Sequence, residues 1–347
     1  MTLAPTRRRT LAALLASALA TLMSPPLAAA DAVKLKFSSF EPPMANITAN
    51  VLTPFAKAAS AGSGGTLQID MFAGGTLGRN PTQQLKLVTD GVADIAWVVL
   101  PYTPGRFDDT EIVGLPFMTT NAVEASVALH RLYAADKLVG FKGLKMLALA
   151  ATPPVGVHGN ITVRQPGDLK GKRVRVSGDH LTKVVEALGG APVQLAGGQI
   201  AESLSRGVVD MTLNNWGFVG DFKVTEVTRQ HFTVPLGSVA VAVVMTQAKF
   251  DALPPAARAA ITKLSGELLA RQVGEAFDRQ EIEVRERTAQ AGKVSGKNQV
   301  VAPSAAELAE WQRQIAPVNE AWRTAKPRNL ATHAAFVDEL QRVRAGK

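Results

Sequence analysis

A chain of 347 residues, 46% hydrophobic and 19% charged, is long enough to bury two cores and too apolar to remain disordered. It has no cysteine, which excludes disulfides, thiol chemistry and cysteine-held metals. The formal net charge is +9; setting aside Arg7, Arg8 and Arg9 in the acid-free first segment leaves 35 basic against 29 acidic residues, about +6. With the basic residues scattered and only 5% aromatics, that balance favours small anions and not nucleic acid.

The N-terminus, "MTLAPTRRRT" followed by a 13-residue apolar run at 11–23 and Ala28-x-Ala30, reads as an export signal cleaved near Ala30. Arg8 and Arg9 leave both the general secretory and the twin-arginine routes open. The run is shorter than the roughly 18 residues of a membrane span, and no later segment is longer. The expected mature product is free in the periplasm.

"VKLKFSSF" alternates apolar and polar residues, as a half-buried strand does, until Pro42 and Pro43. A helix over 47–61, the turn "GSGG" and a second strand, "TLQIDMF", follow. The loop "GGTLGRN" leads to a helix over about 81–89, and "DGVADIAWVVL" gives a turn and a strand apolar enough to be covered on both faces. "PYTPGRF" and "GLPFM" are irregular; a helix over 121–138 and the strand "GLKMLALAA" end this first run. A second run then begins, with strands in "VGVHGNITV", "DLKGKRVRVSG", "APVQLAG" and "DMTLNNW" and helices in "HLTKVVEALGG" and "QIAESLSRGVV". Two α/β runs predict two lobes with a cleft between them. One long helix is expected over 254–290; at 1.5 Å per residue it would reach about 54 Å and cross both lobes. A helix over 304–324 and a short final one complete the chain. The expected division is 31–152 with about 239–280 in the first lobe, and 153–238 with about 281–347 in the second.

Enzyme signatures are missing: there is no Gly-x-Ser-x-Gly elbow, His-Glu-x-x-His pair or Walker loop, and the five histidines lack ligand spacing. Gly74, Gly75 and Gly78 read as a turn. In "RVRVS", Arg175 shares a face with Arg173 and sits between Val174 and Val176, where a strand carries it inward. The pattern alone fits a snorkelling or carboxylate-paired arginine as well as a ligand anchor. "GVVDMTLNNW" delivers Asn214, Asn215 and Trp216 at the carboxyl end of a strand, where open α/β sheets bind ligands. A two-pronged guanidinium, an amide and an indole make a recognition set for a small carboxylate. His158 is either a ligand contact or a polar strand end. Phe37 and Phe40, at the end of the first strand, and Trp97 and Tyr102, at the end of the third, occupy cleft positions, though each taken singly suits a core better. Arg106 is expected to pair with Asp108, Asp109 or Glu111.

The stretches "GGTLQIDMFAGGTLG", "LKLVTDGVADIAWV", "LPFM", "DLKGKRVRVSG", "ALGGAPVQL", "SLSRGVVDMTLNN" and "FDALPPAARAAI" follow one another in family order over nearly the whole mature chain. On them the chain resembles the DctP family, the solute-binding subunits of tripartite ATP-independent periplasmic (TRAP) transporters. The resemblance implies the two-lobed α/β periplasmic binding protein fold with a long helix spanning both lobes. It implies an organic acid in the cleft, membrane-embedded permease subunits as partners, no cofactor, no catalysis and a monomer. By the same resemblance Arg175 grips the ligand carboxylate and Asn214 assists. Met211 and Leu213 replace the family's common glycine and glutamate, which points to a ligand with few polar groups. Many members carry a second arginine in the segment before "DLKG", and here "GVHGNITV" has none, which speaks against a dicarboxylate and leaves His158 or Asn160 as substitutes. The expected ligand is a monocarboxylate, such as a 2-oxo or aromatic acid, with Trp216, Trp97, Tyr102 and Phe40 shaping the pocket. Two other uses of such a chain are a ligand-presenting subunit of a sensory receptor and an enzyme built on Ser177 or His180.

Overall fold

The computed structural model describes residues 32–347; the export-signal reading of 1–30, with its cleavage near Ala30, lies outside the described residues. β1 (Val33–Ser38) buries Leu35 and Phe37 and leaves Lys34 and Lys36 in water. A π-helical turn at Thr48–Leu52 runs into α1 (Thr53–Gly62), which buries Phe55, Ala56 and Ala59. β2 (Leu67–Phe72), α2 (Gln84–Thr89), β3 (Ile95–Val99), α3 (Ala122–Ala134) and β4 (Leu144–Ala151) follow. The second run comprises β5 (Gly156–Gly159), β6 (Arg173–Val176), α4 (Asp179–Ala187), β7 (Ala191–Gln194) and α5 (Ile200–Ser205). It continues through β8 (Met211–Asn214), α6 (Trp216–Asp221), α7 (Val224–Val227) and β9 (Gln230–Phe232). The chain then returns through β10 (Ala240–Thr246), α8 (Gln247–Asp251) and α9 (Pro255–Leu264). α10 (Glu267–Ser295), β11 (Gln299–Val301), α11 (Ala305–Ala325) and α12 (Pro327–Arg344) end it.

The strands form two sheets, one in each lobe: β2-β1-β3-β10-β4 and β11-β9-β5-β8-β6-β7. β1 pairs in parallel with β2 and β3, as the β-α-β rhythm requires. β10 is the exception. Its apolar run inserts antiparallel between β3 and β4, after the chain has already built most of the second sheet. β9 and β11, short strands that pair in parallel beside β5, also extend beyond the strands read from sequence.

The long helix expected over 254–290 is two helices. Apolar spacing continues through the junction, but the first helix ends at Leu264, Ser265 is extended, and Gly266 adopts φ +78°, which glycine enters without penalty and from which the second helix starts. α10 alone, 29 residues and about 44 Å long, still spans both lobes. Its first half packs Leu269, Val273 and Phe277 on the first lobe, and Val284 joins a cluster of the second. The C-terminal division also differs from expectation. Trp311 and Ile315 of α11 lie in the second lobe's core, but Trp322, Phe336 and Leu340 sit in the core of the first. The last helix therefore returns to the first lobe and, at 18 residues, is not short. Among the described residues no helix is long and apolar enough to cross a membrane.

Candidate ligand-binding site

A cavity of about 50 Å³ lies where the lobes meet. The first lobe contributes Phe40, Glu41, Trp97 and Tyr102; the second contributes Arg175, Asn214, Phe218 and Phe222; α10 adds Phe277 and Gln280.

Arg175 is the pivot. β6 holds its backbone between β7 and β8, opposite Val193 and Thr212, and the buried Val174 and Val176 point to the other face. The side chain is 1% exposed, yet among the described residues no carboxylate lies within ion-pair distance. Its Nε and Nη2 donate to the Leu195 carbonyl at 2.9 and 2.7 Å. Nη1 donates to Asn214 Oδ1 at 3.2 Å and Nη2 to the Tyr102 hydroxyl at 3.3 Å. Four bonds against five N–H groups leave one Nη1 hydrogen unspent. Phe218 stacks its ring 6.0 Å from the guanidinium carbon. Burial lowers the arginine's proton affinity from its ordinary value, against the raising effect of Tyr102. A charge desolvated in this way without a counter-charge gains most from an incoming anion.

Asn214 ends β8 with its Oδ1 accepting from Arg175 and from Thr212 Oγ1, and its amide nitrogen makes no bond to a described residue. Behind it, His158 Nε2 meets the Asn214 carbonyl at 3.0 Å and Nδ1 meets His231 Nδ1 at 2.9 Å. Burial, reinforced by His231, pushes His158 down to about 3, so it is neutral.

Of the seven residues expected at the site, Arg175, Asn214, Phe40, Trp97 and Tyr102 line one cavity. His158 and Trp216 do not. The Trp216 ring lies 4.7 Å from His158 and 5.0 Å from His231, and together they form a buried floor under β8. Trp216 also borders a wider cleft of about 650 Å³, open to solvent, whose acids and arginines include the paired Glu124 and Arg344. That cleft has no buried, unpaired cation to offer an acid. Asn160 is exposed and donates to the Val227 carbonyl, away from the site. Phe37 is core, edge-on to Phe55. Arg106 donates to the Gly140 carbonyl and lies over the Phe107 ring, unpaired with the acids that follow it.

Sequence reasoning missed Glu41, Asp221 and the rings of Phe218, Phe222 and Phe277. Phe218 and Phe222 stack at 4.3 Å, a pairing their four-residue spacing after "NNW" allows. Glu41 accepts from Trp97 Nε1 at 2.9 Å and from the Thr48 hydroxyl at 3.3 Å. Burial and the neighbouring Asp221 charge raise its carboxyl to about 7, against the lowering effect of those donors.

Two α/β lobes joined by crossing segments and closed over an arginine without a counter-ion define a solute-binding protein. The chain belongs to the DctP family, bacterial extracellular solute-binding protein family 7, which it matches over residues 37–325. It is similar to a TRAP solute binding protein from a marine metagenome, specific for aromatic acid ligands and solved with 3-hydroxybenzoate. The two are 29% identical with a TM-score of 0.83, over 90% of this chain and 99% of that one. A TRAP solute binding protein from Rhodoferax ferrireducens, solved with copurified benzoate, is 30% identical with a TM-score of 0.81, over 90% and 99% of the two chains. The C4-dicarboxylate-binding periplasmic protein DctP of Rhodobacter capsulatus is 24% identical over 324 residues, 90% of this chain and 93% of that one.

Proposed function

We propose that the protein is the periplasmic receptor of a TRAP transporter and that it captures a small aromatic monocarboxylate for delivery to membrane-embedded permease subunits. The observation that carries this reading is Arg175, buried at the meeting of the lobes with no carboxylate of its own. The ligand's acid group takes the unspent Nη1 hydrogen and the free Asn214 amide, beside the Tyr102 hydroxyl. Six aromatic side chains, Phe40, Trp97, Tyr102, Phe218, Phe222 and Phe277, surround the rest of the cavity, which favours a flat ring over a short 2-oxo acid. Likeness to receptors solved with benzoate and 3-hydroxybenzoate supports the same ligand class.

Capture proceeds by closure of the lobes, since both contribute contacts that a ligand makes together only in the closed state. No bond is made or broken. Calorimetry with benzoate, phenylacetate, pyruvate and succinate tests the class: the aromatic acids should bind and the other two should bind far more weakly. Succinate or pyruvate binding more tightly than every aromatic acid would overturn it.

A further inference from the structure

The cavity has a second polar cluster, built from acids. Glu41, 8% exposed, lies on its wall with Asp221 and Gln280. Asp221 accepts from the Asn46 backbone N–H at 3.2 Å and from Gln280 Nε2 at 2.8 Å, so it is held by both lobes and by α10. Glu41 receives Trp97 and the Thr48 hydroxyl. An ionised carboxylate offers about four acceptor positions, so two donors leave about two unfilled. Neither acid is paired with Arg175, and neither makes a contact ion pair among the described residues; Arg287 acts on Asp221 only from beyond that distance. The cavity therefore combines a cation short of an acceptor with acids short of a donor.

We propose that Glu41, backed by Asp221, is a specificity-determining residue that accepts a hydrogen bond from a ring hydroxyl of the bound acid, which makes hydroxylated aromatic monocarboxylates the receptor's preferred ligands. The inference rests on the aromatic-acid reading above and narrows it. A hydroxyl brings the donor that the buried acid lacks and that a bare ring cannot supply. A second carboxylate on the ligand meets two acids and, among the described residues, no paired cation at that end of a dry site and is turned away. The unbranched aromatic walls then select the ring, Arg175 the acid and Glu41 the substituent.

The test is calorimetry on the full chain with benzoate, 3- and 4-hydroxybenzoate, their 3- and 4-fluoro counterparts and isophthalate. Fluorine approximates the hydroxyl's size and cannot donate. At least one hydroxybenzoate should bind about tenfold more tightly than its fluoro counterpart, and isophthalate should bind more weakly than benzoate. Glu41→Gln keeps the side chain's shape and an acceptor for Trp97 but turns an amide N–H₂ toward the cavity. In that variant the hydroxyl preference should fall to about twofold or less. Equal affinity of hydroxy and fluoro acids for the wild-type protein overturns the assignment, even if the variant fails to fold. So does an undiminished hydroxyl preference in a folded Glu41→Gln. If benzoate and its derivatives all fail to bind, the aromatic-acid reading falls and this one with it. Benzoate binding without a hydroxyl preference removes only Glu41.

Discussion

Asp278 and Glu281, three residues apart on α10, each close the N-terminus of a helix from a different lobe. The Asp278 carboxylate accepts from the Ala122 and Val123 N–H groups, at 2.7 and 3.0 Å, where α3 of the first lobe begins. The Glu281 carboxylate accepts from the Trp216 N–H at 2.8 Å and from Gly217, where α6 of the second lobe begins. Helix N-termini present unpaired N–H groups and partial positive charge, so each acid satisfies a need of the element it faces. A single helix thereby fastens both halves of the molecule at neighbouring points.

Removing either fastening should be visible in stability. Asp278→Ala and Glu281→Ala should each lower the unfolding free energy in urea by about 1–2 kcal/mol, the usual range for a lost helix cap. Because the acids serve different helices, the double variant should lose the sum within about 0.5 kcal/mol. A double loss well above the sum would show that the lobes are coupled through α10, and no loss at all would remove the fastening role.

Arg175→Ala should lower affinity for benzoate by about 3 kcal/mol or more, over a hundredfold, as expected when one partner of a buried ion pair is removed. Arg175→Lys should also weaken binding, by about tenfold or more, because an ammonium cannot offer Asn214, Leu195 and an acid group a planar fork at once. Titration calorimetry reads both. Unchanged affinity in Arg175→Ala ends the ligand-anchor assignment.

Glu41 makes the unliganded protein pH-sensitive in a defined direction. Its folded-state value of about 7 lies above the ordinary 4.5, so its contribution is fully present below 4.5 and is lost as pH rises through 7. The lost stability is on the order of 3 kcal/mol. Burial drives the shift, Asp221 adds to it, and Trp97 and Thr48 oppose it. Buried histidines run the other way: His130, His180 and His231, lowered to about 4, withdraw stability as pH falls. The observable is therefore a difference. Wild type minus Glu41→Gln, followed by thermal unfolding from pH 5 to 8, should decline through that window. A flat difference would show that Glu41 ionises there as freely as in the unfolded chain.

Gly178 follows the anchor strand at φ +91°, and a Cβ built there would sit 2.6 Å from Cβ of Pro101, beside Tyr102 in the opposite lobe. Gly178→Ala therefore wedges the lobes apart next to the Tyr102–Arg175 contact and should weaken ligand affinity by about tenfold. Gly171, at φ +70° with nothing within 4 Å, supplies the control. Gly171→Ala also places a side chain at positive φ but without the contact, and should reduce melting temperature without reducing affinity. Equal affinity losses in the two variants would assign the effect to strain and not to closure.

What could be read in advance follows from the range of the signal. Side-chain alternation carried Arg175 inward and put Leu35 and Phe37 in a core, because period two is local. It could not tell His158 as a lining residue from His158 as the floor beneath Asn214, since both faces of β5 are buried. The break at Gly266 was masked by apolar spacing that runs through it, and only a backbone angle reveals it. Glu41 follows a strand end and precedes two prolines, an ordinary loop setting. Its importance depends on Trp97, 56 residues away, and on Asp221 in the other lobe. The same holds for β10, whose apolar run suits either sheet equally.

The position of β10 also constrains the order in which the protein can be assembled. During synthesis from the N-terminus, β3 and β4 emerge early but gain their shared neighbour only when Ala240–Thr246 arrives, after β5 to β9 have been made. Until then two largely apolar edges in the first half stand open, exposed to misparing with other chains. Neither half is a continuous stretch that could be cut out and expected to fold alone, and truncation anywhere before residue 246 leaves the earlier sheet unfinished.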